Sequence, residues 1–353
     1  MFQKFNGIAI EFISSCVPSG EVDNSFFQSL LSEKEIKMFE KTVGIFKRRW
    51  ASEEVTASDL GYQAAIEILN VNNLDKEKIK GLVFLSQTSD YKIPFTSNIL
   101  QNRLGLKNDI LCLDINAGCA GFIQGLSIAY SIVNTLNKGE KVLLIIGETL
   151  SKILSPYDRS TSMLFGDGAS AILISKTENS TDESFFNFFS DGSKANAIMI
   201  PDGGYRNGVN ENSFVSHSDE KNNQKSKVQL SMDGPSVFDF TLREIYPSIL
   251  QLLTHFNIDL NVIDKFLFHQ SNKFIIKQIA AKLGIEGCKV PINIHDFGNT
   301  SGVSIPLLIS SFHQDFLNTN KILCSGYGSG LTWGNCLLDI SNTEIFPIKI
   351  YKV

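Results

Sequence analysis

The sequence predicts an α/β protein made of two similar halves, each a β-sheet covered by helices. Three observations carry that expectation. Short apolar runs bounded by glycine or polar residues alternate with longer amphipathic segments. At 353 residues the chain exceeds what one hydrophobic core usually serves. The same plan then restarts in the second half, where a strand again leads to a reactive residue and a helix follows. The halves share no close sequence identity, so the likeness rests on pattern.

The elements follow in order. Residues 1–17 read as a first strand, because Asn6, Gly7 and Glu11 interrupt any signal-peptide core. Strands are expected at 81–86, 110–115, 141–147 and 169–175, and helices at 58–69, 96–104 and 120–136. The second half is expected to place strands at 265–269 and 321–326 and helices at 272–283 and 303–316. Residues 1–180 and 230–353 form the two halves, joined by 181–229. Within that connection, 205–227 is polar and turn-rich and reads as a surface excursion.

Composition narrows the function. A net charge of −5 gives no global field favouring nucleic acid or an anionic membrane. No apolar run reaches the ~20 residues of a membrane helix, and a cytoplasmic protein is expected. The six cysteines form no CxxC pair and no metal-ligand spacing, so no metal is expected. Five of them read as buried reduced thiols.

The sixth, Cys119, stands in DINAGCAGF, where a strand ends, Gly118 turns the chain and a helix opens. A helix N-terminus favours thiolate, and the small neighbours leave room for a substrate. His269 in FLFHQSNK ends an apolar strand, and Asn299 lies in the polar turn DFGNTSGVSIP before a helix. Each has a structural reading on its own: a buried thiol, a core histidine, a turn former. Together they have the composition of an activated-nucleophile site. The glycine-rich SGYGSGLTWGN fits neither a dinucleotide nor a P-loop pattern. It suits a turn that points backbone N–H groups at an oxyanion.

DINAGCAGF, FGDGASA, HQSNK, GNTSGVSIP and GYGSGLTWG, in this order, closely resemble β-ketoacyl-acyl carrier protein synthase III. The resemblance covers essentially the whole chain. It implies a five-layered α-β-α-β-α thiolase-like fold and a homodimer. It further implies acyl transfer from a carrier-protein or coenzyme A thioester to Cys119, then decarboxylative condensation with a malonyl thioester. His269 and Asn299 would donate to the enolate oxygen, and the backbone N–H groups of Cys119 and Ser329 would form the oxyanion hole. Asn272, Arg159, Gly234, Phe238 and Ile93 would contact substrate or pantetheine. Lys273, Lys277 and Lys282 read either as an alternative basic landing patch for an acidic carrier protein or as an ordinary solvated helix face. No cofactor is bound; the phosphopantetheine belongs to the substrate. Two other expectations are an acyltransferase to an oxygen, nitrogen or other carbon acceptor and a non-catalytic partner subunit.

The departures from the family's pattern cluster at the entrance. Met38 and Thr42 stand where a tryptophan and an arginine usually grip coenzyme A, while Arg159 is retained. Phe274 replaces a docking arginine, Asp239 a basic residue, and Ile93 a phenylalanine that closes the acyl pocket. These changes imply a carrier-protein donor and an acyl group other than acetyl.

Overall fold

The computed structural model describes residues 1–71, 74–177, 182–218 and 223–352. Ten strands build its two main sheets: β1 (Phe2–Asn6), β2 (Ile8–Pro18), β3 (Ile79–Leu85), β4 (Leu111–Ile115), β5 (Lys141–Glu148), β6 (Gly168–Lys176), β7 (Glu183–Ser190), β8 (Lys265–Phe268), β9 (Lys321–Gly328) and β10 (Thr332–Asp339). The first sheet runs β2-β6-β5-β3-β4, extended beyond β2 by the short strands Glu344–Ile345 and Lys349–Tyr351. The second runs β1-β7-β10-β9-β8. In each, a parallel pair (β3–β5, β8–β9) adjoins an antiparallel pair (β5–β6, β9–β10), so the two halves are similar.

Among the described residues, seven α-helices of two turns or more pack around them: α1 (Glu33–Thr42), α2 (Ala57–Leu69), α3 (Thr96–Arg103), α4 (Gly121–Thr135), α5 (Gly234–His255), α6 (Lys273–Leu283) and α7 (Ser304–Ser311). The layers follow from where apolar side chains meet. α2 and α3 cover the outer face of the first sheet through Leu60, Ile68 and Leu100. α4 and α7 lie between the sheets, where Phe122, Leu126 and Leu308 join side chains of both. α5 and α6 cover the second sheet through Ile249, Leu252 and Ile276. The order α-β-α-β-α is the one the resemblance implied.

Local sequence explains most elements. β5 is buried from Val142 to Glu148, as an inner strand covered on both faces must be. α2 starts on a capping box between Thr56 and Asp59. α4 approaches the first sheet closely because Gly121 and Gly125 face it. A Cβ at either would lie 2.6 or 2.8 Å from Leu85, so this register fixes the helix that follows Cys119.

Several expectations change. The connection 181–229 opens on β7, an inner strand of the second sheet, so only the chain after it is an excursion. α5, which the sequence did not announce, begins with Gly234-Pro235; Asp233 caps it, and a proline in the first turn lacks only an N–H the helix does not need. The run 325–335 forms a hairpin, leaving only Ser329–Leu331 as its tip. α7 ends before Phe312, whose φ of −114° and ψ of 30° leave the helix, short of the expected 316. Of the five cysteines read as buried, Cys16, Cys324 and Cys336 are buried, Cys112 is half-buried and Cys288 is exposed. Among the described residues no helix is long and apolar enough to cross a membrane.

Candidate active site

Cys119, His269 and Asn299 line one cavity of about 430 Å³. Each comes from a different junction. β4 ends at Ile115, and Cys119 sits two residues before α4 in a turn closed by Gly121 N–H to Gly118 O at 2.6 Å. Its sulfur lies against the backbone N–H groups of Ser329 and of Cys119 itself, and Ser301 Oγ reaches it at 3.7 Å. Gly328 is needed here: a Cβ would fall 2.8 Å from Sγ.

His269 follows β8, and its N–H continues the ladder to Ser325 O at 2.8 Å. Nδ1 is held by Ser304 Oγ at 2.7 Å, the ring meets Tyr327 edge-on at 5.4 Å, and Tyr327 OH donates to the His269 carbonyl at 3.2 Å. The Ser301 backbone also hydrogen-bonds the ring. Asn299 is pinned by its N–H to Leu164 O at 2.8 Å and by Gly166 N–H to its own carbonyl at 3.0 Å. Its Oδ1 accepts the Ser301 N–H at 2.9 Å, which leaves Nδ2 as the free donor. Ser301 itself takes φ +51°, a left-handed backbone that non-glycine residues seldom adopt.

Electrostatics departs from the expected thiolate. Burial, with Glu148 adding to it, pushes the Cys119 thiol up to about 11, while hydrogen bonds from Ser301 and the two backbone N–H groups oppose it. Desolvation wins because the helix begins only at Gly121 and the walls are largely apolar. Burial likewise holds His269 down at about 3, so the imidazole is neutral across the physiological range. Alkylation of Cys119 by iodoacetamide should thus rise about tenfold per pH unit from 6.5 to 9.5, because the thiolate fraction keeps growing below the thiol pKa. A plateau below pH 8 would contradict this environment.

The remaining expected residues divide. Ser329, Asn272, Gly234 and Phe238 line the cavity, and the Asn272 side chain also caps α6 by accepting the Phe274 N–H at 2.7 Å. Arg159 does not line it; it pairs with Glu35 at 3.4 Å. Ile93 is 80 % exposed on the loop before α3, away from the cavity of its own chain. Lys277 is exposed, Lys273 packs its stem on Gly44, and Lys282 donates to the Leu242 carbonyl at 2.7 Å.

Sequence reasoning missed one wall. Ile198, Met199, Ile200, Leu230 and Met232 come from the connection and its end, and with Leu150, Ile153, Leu164 and Phe165 they make an apolar lobe. The signal was present as two short apolar runs, IMI and LSM, in a polar stretch. Gln87 and Asn116 also line the cavity and were not singled out.

Comparison with known proteins agrees with this layout. Residues 113–194 match the family described as 3-Oxoacyl-[acyl-carrier-protein (ACP)] synthase III, and 253–340 match its C-terminal counterpart. A beta-ketoacyl-[acyl-carrier-protein] synthase III of Clostridium perfringens is 35% identical over 92% of this chain and 96% of its own. A putative 3-oxoacyl-[acyl-carrier-protein] synthase 3 of Campylobacter jejuni is 31% identical over 99% of both. The crystal structure of a 3-oxoacyl-(acyl-carrier protein) synthase from Burkholderia xenovorans superposes with a TM-score of 0.91 at 34% identity, covering 99% of each chain. On the family matches, the identity over most of the chain and the shared fold, the chain belongs to the β-ketoacyl-acyl carrier protein synthase III family of thiolase-fold condensing enzymes.

Proposed function

We propose that the protein is a decarboxylating ketosynthase acting through Cys119. The observation that carries this reading is the meeting of a thiol, a neutral imidazole and an oriented amide donor beside an apolar lobe in one cavity. Cys119 Sγ attacks the carbonyl of an acyl thioester, the C–S bond to the donor breaks, and the thiol proton leaves with the donor thiol. The backbone N–H groups of Cys119 and Ser329 stabilise the oxyanion. A malonyl thioester then enters and loses CO₂. His269 Nε2–H and Asn299 Nδ2–H donate to the resulting enolate oxygen. The enolate carbon attacks the acyl-Cys carbonyl, forming the C–C bond and breaking the bond to Sγ; the thiolate released takes a proton from solvent before a second cycle.

A neutral His269 suits this role, since it donates one proton without carrying a charge in an apolar site. Ser304 is read as the residue that fixes its tautomer by donating to Nδ1. Replacing Ser304 by alanine should slow condensation about tenfold, on the scale of one lost hydrogen bond, with a changed pH profile and unchanged Cys119 acylation. Equal losses in both half-reactions would instead mark Ser304 as merely structural.

The donor is read as an acyl-carrier-protein thioester in the cytoplasm. Met38 is exposed, Thr42 bonds back to the Met38 carbonyl, and Arg159 is engaged by Glu35, so a coenzyme A grip at this entrance lacks its parts. The apolar lobe supports an acyl group larger than acetyl. β4 is an edge strand with Leu111 half-exposed, near the exposed Ile93 and Phe95, which supports a homodimer across this edge.

The test is intact-mass analysis of the protein incubated with a panel of acyl-carrier-protein and acyl-coenzyme A thioesters, with and without malonyl carrier protein. The expected result is an adduct on Cys119 that converts to β-ketoacyl product only when malonyl thioester is added. An adduct that transfers to an alcohol or amine and never condenses would overturn the reading.

A further inference from the structure

β3 and β4 are parallel neighbours with Leu85 opposite Ile115, and the ladder continues through Ser86 N–H to Ile115 O at 3.0 Å. Beyond that pair Asn116 is the next residue of β4 and Gln87 lies two residues past Leu85, so both stand at the carboxyl edge, where α/β sheets commonly bind ligands. The tip of the β9–β10 hairpin brings a third polar side chain. Ser329 Oγ accepts from Gln87 Nε2 at 3.2 Å. The Gln87 amide also lies against the residue before the nucleophile: a Cβ on Gly118 would fall 2.3 Å from its Oε1. All three line the cavity with Cys119, opposite in character to the lobe of Leu150, Ile153 and Leu230.

Two groups in this corner are left to water, since Gln87 and Asn116 are both exposed. Among the described residues, neither Gln87 Oε1 nor the Asn116 amide has a hydrogen-bond partner in the protein. A purely hydrocarbon acyl group that displaced water here would leave an acceptor and an amide desolvated, which is costly. A charged substituent fits no better. No residue lining the cavity carries a formal charge with His269 neutral. The nearby carboxyl, Glu148, accepts the Gln87 backbone N–H, and burial pushes it up to about 8. A hydroxyl, which both donates and accepts, meets Gln87 and Asn116 together.

We propose that Gln87, Asn116 and Ser329 form an acyl-recognition subsite, and that the preferred acyl donor carries a hydroxyl. The proposal rests on the condensing-enzyme reading above. Its test compares the rates at which Cys119 is acylated by 3-hydroxybutyryl- and butyryl-acyl carrier protein, followed by intact mass, and then adds malonyl carrier protein. The native protein should prefer the hydroxylated donor about tenfold or more, on the scale of one to two hydrogen bonds. In Asn116→Ala and Gln87→Leu that ratio should fall to within about twofold of one. Asn116 has no protein partner to lose, so its variant keeps the test valid if Gln87→Leu folds poorly. A native ratio of one or less, or an unchanged ratio in both variants, overturns the subsite. If butyryl loads and condenses as well as its hydroxylated analogue, the subsite falls and the condensing reading stands. If neither donor acylates Cys119, both fall.

Discussion

Replacing Cys119 by serine is expected to lower β-ketoacyl formation by about four orders of magnitude or more and to abolish the acyl adduct. The reasoning starts from proton affinity. Even the thiol is held up at about 11 here, and an alcohol binds its proton far more tightly. No residue lining the cavity is a strong base, because His269 is held down at about 3. The substitution changes one atom on the cavity wall and leaves the Gly121–Gly118 turn in place, so the fold should persist. The measurement is acylation and condensation rate beside a thermal melt. A serine variant that still condenses within tenfold of the native rate would place the acyl group elsewhere.

Asn299→Ala carries the second large effect and separates the two half-reactions. The amide reaches the cavity only because Leu164, Gly166 and Ser301 fix its backbone and its Oδ1. Removing one oriented donor to a developing oxyanion costs about 10²–10³ in rate. That loss should fall on condensation, while acylation of Cys119 proceeds and acyl-enzyme accumulates. Rates of adduct formation and of CO₂ release, measured on the same sample, check this. Equal loss in both would show that Asn299 holds the Ser301 turn and not the enolate.

Much of this was legible in the sequence because the reactive residues sit at element junctions, where local chemistry is strongly written. The strand before Cys119 is short and apolar, and small residues then allow the helix to close on Leu85. The edges of the fold were less legible. β7, with its run of phenylalanines, reads as an isolated apolar patch until β1 and β10 are seen to flank it. α5 is obscured by Gly-Pro at its start and by Pro247 within it. The lobe wall from Ile198 and Leu230 depends on tertiary packing across a polar connection, which no local periodicity reports. The environment of Cys119 was less legible for a related reason, since burial pushes its thiol up. The helix-terminus argument is local, whereas desolvation by side chains from distant elements is not.

In the proposed reaction the acyl group on Cys119 is consumed by a carbanion made by decarboxylation in the same cavity. The most direct measurement loads the protein with one acyl equivalent, removes free donor, and adds malonyl carrier protein labelled in its free carboxyl. The account predicts one CO₂ released for each acyl group that leaves Cys119, with a β-ketoacyl carrier protein as the product. Acyl loss without CO₂ release, or CO₂ release that leaves the acyl-enzyme untouched, would contradict it.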